Sequence, residues 1–576
     1  MKLNTKWDKY VDVNHLFEEY PRPSLARKSF INLNGFWKYA FTKSKEAPTK
    51  YDGDILVPFS PESESSTVKR TLKSDEFLWY MRSLPSDVVK RDSKWILHFG
   101  AVDQIAEIYI NGIHIKTNIG GYLPFSIDIT KYLQDAGNTL MVRVMDLGES
   151  SYLARGKQRS EPSGMFYTGQ SGIWQTVWIE EVPTDYIENV EYSCLYDEKI
   201  VKVKVHSERV RPVKICISGI DSPILGKSNT DIYVNLTNFF KSWSPESPYL
   251  YNTEIMMGED RVESYFAMRK VTTGPDTNGI KRVFLNNKPY FQKGVIDQGY
   301  WPKGLYTPPC DEAFIYDIKK MKDLGFNMIR KHMKVEPERW YYHCDRLGML
   351  VWQDIVNGGM GHRSWFVTYF ATFLEWINIR LKDNKYMLTG RKKKWNKKQF
   401  VIEMKDTIRA LKKHPSIVTW TIFNEGWGQF DANVVTKVAR IYDKTRLIDQ
   451  ASGWFDQRGG DFRSIHNYFL PLRFGKDNRV IALTEFGGFS YSIPGHRFSE
   501  KTYGYRIFKN KKKLSMSYQK LMEQQILPNM NKGLSVTIYT QLSDIEEEVN
   551  GIVSYDRKVS KFDEEMLREY NERLTL

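Results

Sequence analysis

The sequence predicts a multidomain fold: an N-terminal jelly-roll β-sandwich, an immunoglobulin-like β-sandwich and a C-terminal (β/α)8 TIM barrel. Three observations carry this. Residues 1–184 are short alternating or apolar runs separated by turn signals, with few helical patterns between them. Residues 185–273 continue in strands over a span suited to a small sandwich. From 274 to 576 strands alternate with helices, which fits a closed barrel better than an open sheet. The chain has 576 residues, room for three domains if one is large.

In the first region Trp95–Phe99, Ala106–Ile110 and Leu140–Val144 read as strands, punctuated by Asn111-Gly112 and Gly120-Gly121. In the second, Val201, Val203 and Val205 alternate within Ile200–His206, and Val213–Ile217 and Ile232–Leu236 follow; Gly274-Pro275-Asp276 marks the end. In the third, strands are expected at Tyr290–Val295, Phe326–Arg330, Met349–Asp354, Ile417–Glu425, Ile465–Tyr468, Ile481–Glu485 and Val536–Gln541. Helices are expected from an Asp311 N-cap to near Gly325, over Glu336–Leu347 closed by Gly348, over Ala432–Tyr442 and near Asp563–Arg573. Eight strands are inferred from the length of the alternation.

Composition excludes collagen-like, low-complexity and wholly disordered chains: 41 % of residues are apolar and 27 % charged. Aromatics, at 14 %, suit both sandwiches and sugar-binding clefts. The net charge is +15, concentrated in Arg391–Lys394 with Lys397 and Lys398, and in Lys509 with Lys511–Lys513. No arginine-rich arm, zinc spacing or RNP-type motif accompanies these clusters, so they read as solvated faces and no nucleic-acid partner is expected. Four cysteines without CxxC spacing read as reduced thiols, and Met1–Asp8 lacks a signal-peptide core, so a cytoplasmic setting is expected. No apolar run reaches 18 residues, so no membrane span is expected; Trp365–Ile379 reads as a buried or cleft-lining helix.

Two acids end apolar strands: Glu425 in Ile422–Trp427 and Glu485 in Ala482–Gly488. Strand ends of a barrel converge on one mouth. Two carboxylates there can cleave a glycosidic bond, one protonating the leaving oxygen and the other attacking the anomeric carbon or activating water. Glycines 426, 487 and 488 allow a sharp turn beside each acid.

Further motifs make this specific. Leu33–Trp37, Val57-Pro58, Trp79-Tyr80, Asn111-Gly112, Gly120–Tyr122 with Pro124-Phe125, and Gly172–Trp178 resemble the sugar-binding sandwich of glycoside hydrolase family 2, which holds β-galactosidases, β-glucuronidases and β-mannosidases. The resemblance implies the domain order given above and retaining chemistry at β-linkages, with Asn424-Glu425 similar to the acid/base motif and Glu485 at the nucleophile position. It implies a substrate 2-hydroxyl contact for Asn424, an orienting role for Arg330, a sugar contact or packing role for His332, and a bond from Tyr468, in His466-Asn467-Tyr468, to the nucleophile. Trp301, Trp427 and Trp454 are candidate sugar platforms, and Asp297 and Asp354 weaker candidates of the same kind. Tyr539, Gln541 and Asp544 follow the last strand, where the family often has Trp and Asp, a departure that leaves stacking there open.

Two departures bear on the sugar. The Asn-x-Lys pair that marks family glucuronidases is replaced by Glu548-Val549-Asn550, while Arg330, Lys331 and Lys334 cluster at one strand end. The expectation is therefore a retaining exo-β-glycosidase, most simply β-galactosidase-like. The alternatives are a β-hexuronidase using that basic cluster and, more distantly, a non-catalytic carbohydrate-binding protein. A carbohydrate is the expected partner, with no cofactor, metal or membrane; the insertion between Asn357 and Lys413 either shapes the mouth or forms a homo-oligomer contact. The acid pair should lie about 5–5.5 Å apart, with Arg330 and Tyr468 in reach of Glu485 and the higher pKa on Glu425.

Overall fold

The computed structural model describes residues 3–359, 367, 370–376 and 379–576. The N-terminal sandwich packs a four-stranded sheet (Ile31–Asn32, Val177–Val182, Lys94–Phe99, Phe125–Asp128) with a six-stranded one (Gly53–Val57, Gly35–Thr42, Phe77–Ser83, Thr139–Met145, Ile105–Ile110, Ile113–Ile119). In Thr139–Met145 only Leu140, Val142 and Val144 are buried, the period-two pattern of a strand with one face in a core. The second sandwich joins a three-stranded sheet around Ile200–His206 to a four-stranded sheet around Tyr251–Met257, over a core of Val201, Val203, Val205, Ile215 and Ile255.

Gly274 and Pro275 do not form a linker. They belong to strand Val271–Pro275, which pairs with Lys281–Leu285 in a small antiparallel sheet. Val271, Val283 and Leu285 join the apolar interior of the barrel, and Arg282 donates to the Leu534 carbonyl at 3.0 Å. The hairpin thereby plugs the end where the strands begin.

The barrel strands are β1 (Gln292–Asp297), β2 (Met328–Lys331), β3 (Leu350–Asp354), β4 (Ile417–Asn424), β5 (Leu447–Ser452), β6 (Phe462–Asn467), β7 (Val480–Gly487) and β8 (Leu534–Thr540). Their order around the sheet is 5-4-3-2-1-8-7-6, and every ladder is parallel. Strands buried on both faces read as near-continuous apolar runs, and β4 and β7 have no exposed residue. Strand β5 was not foreseen, because Asp449 and Gln450 break its apolar run. Both are buried and bonded instead: Ser464 donates to Asp449 at 2.7 Å, and Gln450 donates to Asn433 and Thr436.

Three other expectations change. Helix Asp311–Asp323 starts after Cys310, and the Asp311 carboxylate binds Arg339 and His343 rather than capping it. Arg391 is buried, donating to the Gly428 carbonyl at 2.8 Å and to Asn396, because an apolar wall of Phe400 and Phe430 covers it; Lys392–Lys394 are exposed as expected. The helix expected over Trp365–Ile379 lies partly outside the described residues; a helix covers Ala371–Trp376, and Phe370, Phe373 and Ile379 are exposed. Among the described residues no helix is long and apolar enough to cross a membrane.

Candidate active site

Glu425 is the first residue after β4, with φ +51°, a left-handed conformation that is costly for a side chain with a Cβ and is typical of functional sites. Gly426 follows at φ +70°, where an added Cβ would meet the Phe455 ring at 2.5 Å. The turn thus carries the carboxyl back over the barrel axis. Glu485 lies two residues inside the end of β7, which continues to Gly487. Ligand oxygens of the two acids and a ring nitrogen of His466 all lie within 4.8 Å of one another.

The acids have different surroundings. Arg330, fully buried on β2, donates to Glu485 Oε1 at 3.3 Å and to Asp354 through both Nε and a terminal nitrogen at 3.0 Å. It also donates to Asn424 Oδ1 at 2.8 Å. Tyr468 donates its hydroxyl to Glu485 Oε2 at 2.5 Å, and its ring stacks on Tyr505 at 4.0 Å. Burial alone would raise the Glu485 pKa; the charges of His466 and Arg330 outweigh it and hold the carboxyl well below the ordinary range.

Glu425 faces His466, whose Nδ1 is 2.9 Å from Oε1 and 3.5 Å from Glu485 Oε2. His466 Nε2 lies 2.9 Å from Ser452 Oγ, and Ser452 in turn donates to Thr484. That hydroxyl hydrogen being committed, Nε2 is the donor to Ser452. Nδ1 then either accepts the carboxyl proton of Glu425 or, in a doubly protonated ring, donates to its carboxylate. His466 was quoted in the sequence only as part of a strand end; nothing in one sequence showed that its ring would stand between the acids.

Asn424 Nδ2, His332 Nε2 and Trp454 Nε1, buried nearby, have no partner among the described residues. His332 is held by Asp354 Oδ2 at 2.7 Å, and Trp454 stands edge-on to His466 at 5.7 Å. These are donors or acceptors that a sugar hydroxyl could meet. Trp427, two residues after Glu425, stacks on Phe166 of the N-terminal sandwich at 5.3 Å.

Other candidates are not brought to the acids. Asp297 accepts from Lys331 at 2.5 Å and from the Gly299 amide at 2.8 Å. Trp301 packs against Trp7 and Phe314 under the Arg557 guanidinium. Tyr539 points out of the barrel between Tyr518 and Phe562, since alternate residues of β8 face inward. Gln541 donates to Asn550 at 2.7 Å and accepts from Gln298. The basic cluster is also spent: Lys331 binds Asp297 and Glu336, and Lys334 binds Glu336 and two carbonyls, all fully buried. It leaves no cation for an acidic sugar. Glu548 and Asn550 bond each other and Tyr167 and Gln541, so they expose no charge either.

With this geometry in hand, comparison with known proteins places the chain. Residues 67–183 match the sugar-binding domain and residues 280–469 the TIM barrel domain of glycosyl hydrolases family 2, together more than half of the sequence. The chain belongs to glycoside hydrolase family 2. It is 23 % identical over 437 residues to a β-glucuronidase of Streptococcus agalactiae, covering 70 % of this chain and 68 % of that protein. It is 23 % identical over 370 residues to the β-galactosidase large subunit of Lactobacillus helveticus, covering 61 % and 54 %. The chain spans only about half the length of several curated relatives it matches. A β-D-glucuronidase structure from Dictyoglomus thermophilum superposes with a TM-score of 0.73 at 17 % identity, over 96 % of this chain and 98 % of that one.

Proposed function

We propose that this family 2 member is a retaining exo-β-glycosidase, with Glu485 as nucleophile and Glu425 as general acid and base. The observation that carries the reading is the pair itself. One oxygen of each carboxylate lies within 4.8 Å of the other at one barrel mouth, which suits the close pair of a retaining enzyme better than the roughly 6.5–9.5 Å separation that an inverting enzyme needs for its water. Their surroundings also divide the work: Arg330 and Tyr468 favour an ionised Glu485, while Glu425 is in hydrogen-bond contact with His466.

In the first step Glu485 attacks the anomeric carbon, the glycosidic bond breaks, and the Glu425 proton passes to the departing oxygen. A covalent glycosyl ester forms. In the second, Glu425 takes a proton from water, the hydroxide attacks the same carbon, and Glu485 leaves ionised. Asn424, with Oδ1 fixed by Arg330, has Nδ2 available for the 2-hydroxyl, a contact that strengthens in the transition state. The three-domain division at 184 and 273 and a reducing, cytoplasmic setting belong to the same reading; the four free cysteines support the latter.

A 2-deoxy-2-fluoro glycoside with a good leaving group should label Glu485, and NMR should show the β-anomer as first product. Label on another residue, or an α-anomer appearing first, rejects the assignment.

A further inference from the structure

The sandwich sends a loop over the barrel mouth. Arg155 and Gly156 donate their amides to the Asn357 carbonyl at 3.1 and 2.9 Å, just beyond β3. Gly156 lies against the Met333 carbonyl, which a Cβ would approach to 2.7 Å. Gln158–Arg159 pairs with Tyr167–Thr168, and Tyr167 and Thr168 rest on Glu548 and Glu546 beyond β8. The loop is thus tied to both sides of the mouth.

It carries three cations in five residues: Arg155, Lys157 and Arg159. None has a carboxylate in salt-bridge distance among the described residues. The charges of Glu149 and Asp146 act on Arg155, and that of Glu149 on Arg159; Glu546 takes the Thr168 amide, Glu547 Lys501 and the Gly164 amide, and Glu548 Tyr167. Arg155 donates to the Gly359 carbonyl, Arg159 lies over the Phe166 ring at 3.5 Å, and Lys157 lies 5.7 Å from the Trp427 ring. All three are half-buried. Its neighbour Trp427, two residues after Glu425, places Lys157 at the catalytic end of the loop, where its charge acts on His332 and Glu485. A partly desolvated cation without a counterion opposes folding, so the position of Lys157 over a sugar cleft calls for an anionic ligand.

We propose that this loop is an anion subsite, and that the enzyme takes sugars bearing a carboxylate or sulfate ester, read by Lys157 of the sandwich rather than by any cation of the barrel. The inference rests on the glycosidase reading and adds the substrate class. The charge could sit on the cleaved sugar or on the residue next to it. p-Nitrophenyl β-glucuronide and β-galacturonide test the first; a neutral terminal sugar β-linked to a uronic or sulfated residue tests the second; p-nitrophenyl β-galactoside and β-glucoside are the neutral references.

The wild type should turn over at least one anionic arm with kcat/KM tenfold or more above the neutral references at low salt, and that preference should shrink at 0.5 M NaCl. Lys157→Met should reduce the anionic-to-neutral ratio at least tenfold, chiefly through KM, and Lys157→Arg should restore most of it. A ratio equal in wild type and Lys157→Met, with Lys157→Arg folded and equally indifferent, overturns the subsite, as does a wild type that prefers neutral sugars in every arm. Labelling of Glu485 separates the two readings: label present with an unchanged ratio removes only the subsite, whereas no label and no turnover in any arm removes the glycosidase assignment as well.

Discussion

Two groups of cations stand at the same barrel mouth and differ in one respect. Arg330, Lys331 and Lys334 are sealed from solvent, and carboxylates meet each of them. Arg155, Lys157 and Arg159 are half open, and none has a carboxylate in salt-bridge distance among the described residues. In the sequence the first group is the candidate that an acidic sugar would need, because it lies at a strand end. The proposed subsite lies with the second group instead. A cation that has found its counterion inside the protein is part of the framework, and one left without is free to meet a ligand.

The contrast can be broken at its strongest point first. Arg330→Met leaves Asp354 and Glu485 as buried neighbours without their cation. We expect turnover to fall by about 10²–10³-fold and stability by about 3–5 kcal/mol, the cost of halving a buried ion pair; kinetics and urea unfolding measure both. Lys331→Met should cost about 3 kcal/mol of stability, because Asp297 and Glu336 lose their shared partner. The double variant with Asp297→Asn should recover part of it, and no shift in the denaturation midpoint would place Lys331 among the spare cations after all.

The smallest effect concerns the root of the loop, where Glu403 accepts the Ala154 amide at 3.2 Å. Burial pushes its pKa up to about 7 from an ordinary 4.5. The folded state therefore holds a proton that the unfolded chain releases. That contribution is full below about pH 4.5 and is lost as pH rises through about 7. Melting temperature should decline between pH 5 and 7.5, and Glu403→Gln should flatten the decline; an equal slope in both proteins refutes it.

Much of the scaffold was legible. β4 and β7 announce themselves as apolar runs, and each delivers its acid to the mouth. Tyr468 and Arg330 fell where the family pattern put them, and the structure brings both to Glu485. What stayed hidden depended on partners distant in the chain. β5 hid behind Asp449 and Gln450, whose polarity makes sense only with Ser464 and Asn433 alongside. Trp301 and Tyr539 could not be told from sugar platforms, since an indole or phenol in a core has the same letter as one in a cleft. The loop of Arg155–Arg159 belongs to a different domain from the acids it faces, and no local pattern connects them.

One feature joins architecture to chemistry. Strands β5 and β6 are the neighbours that complete the ring, and the Ser452–His466 contact crosses that junction. The imidazole that touches Glu425 is thus also a clasp between the two ends of the sheet. Any breathing of the barrel at this joint would swing the ring away from the acid before it disturbed a single ladder hydrogen bond. Heat, denaturant or a badly fitting sugar could silence the enzyme while its circular dichroism still looked native.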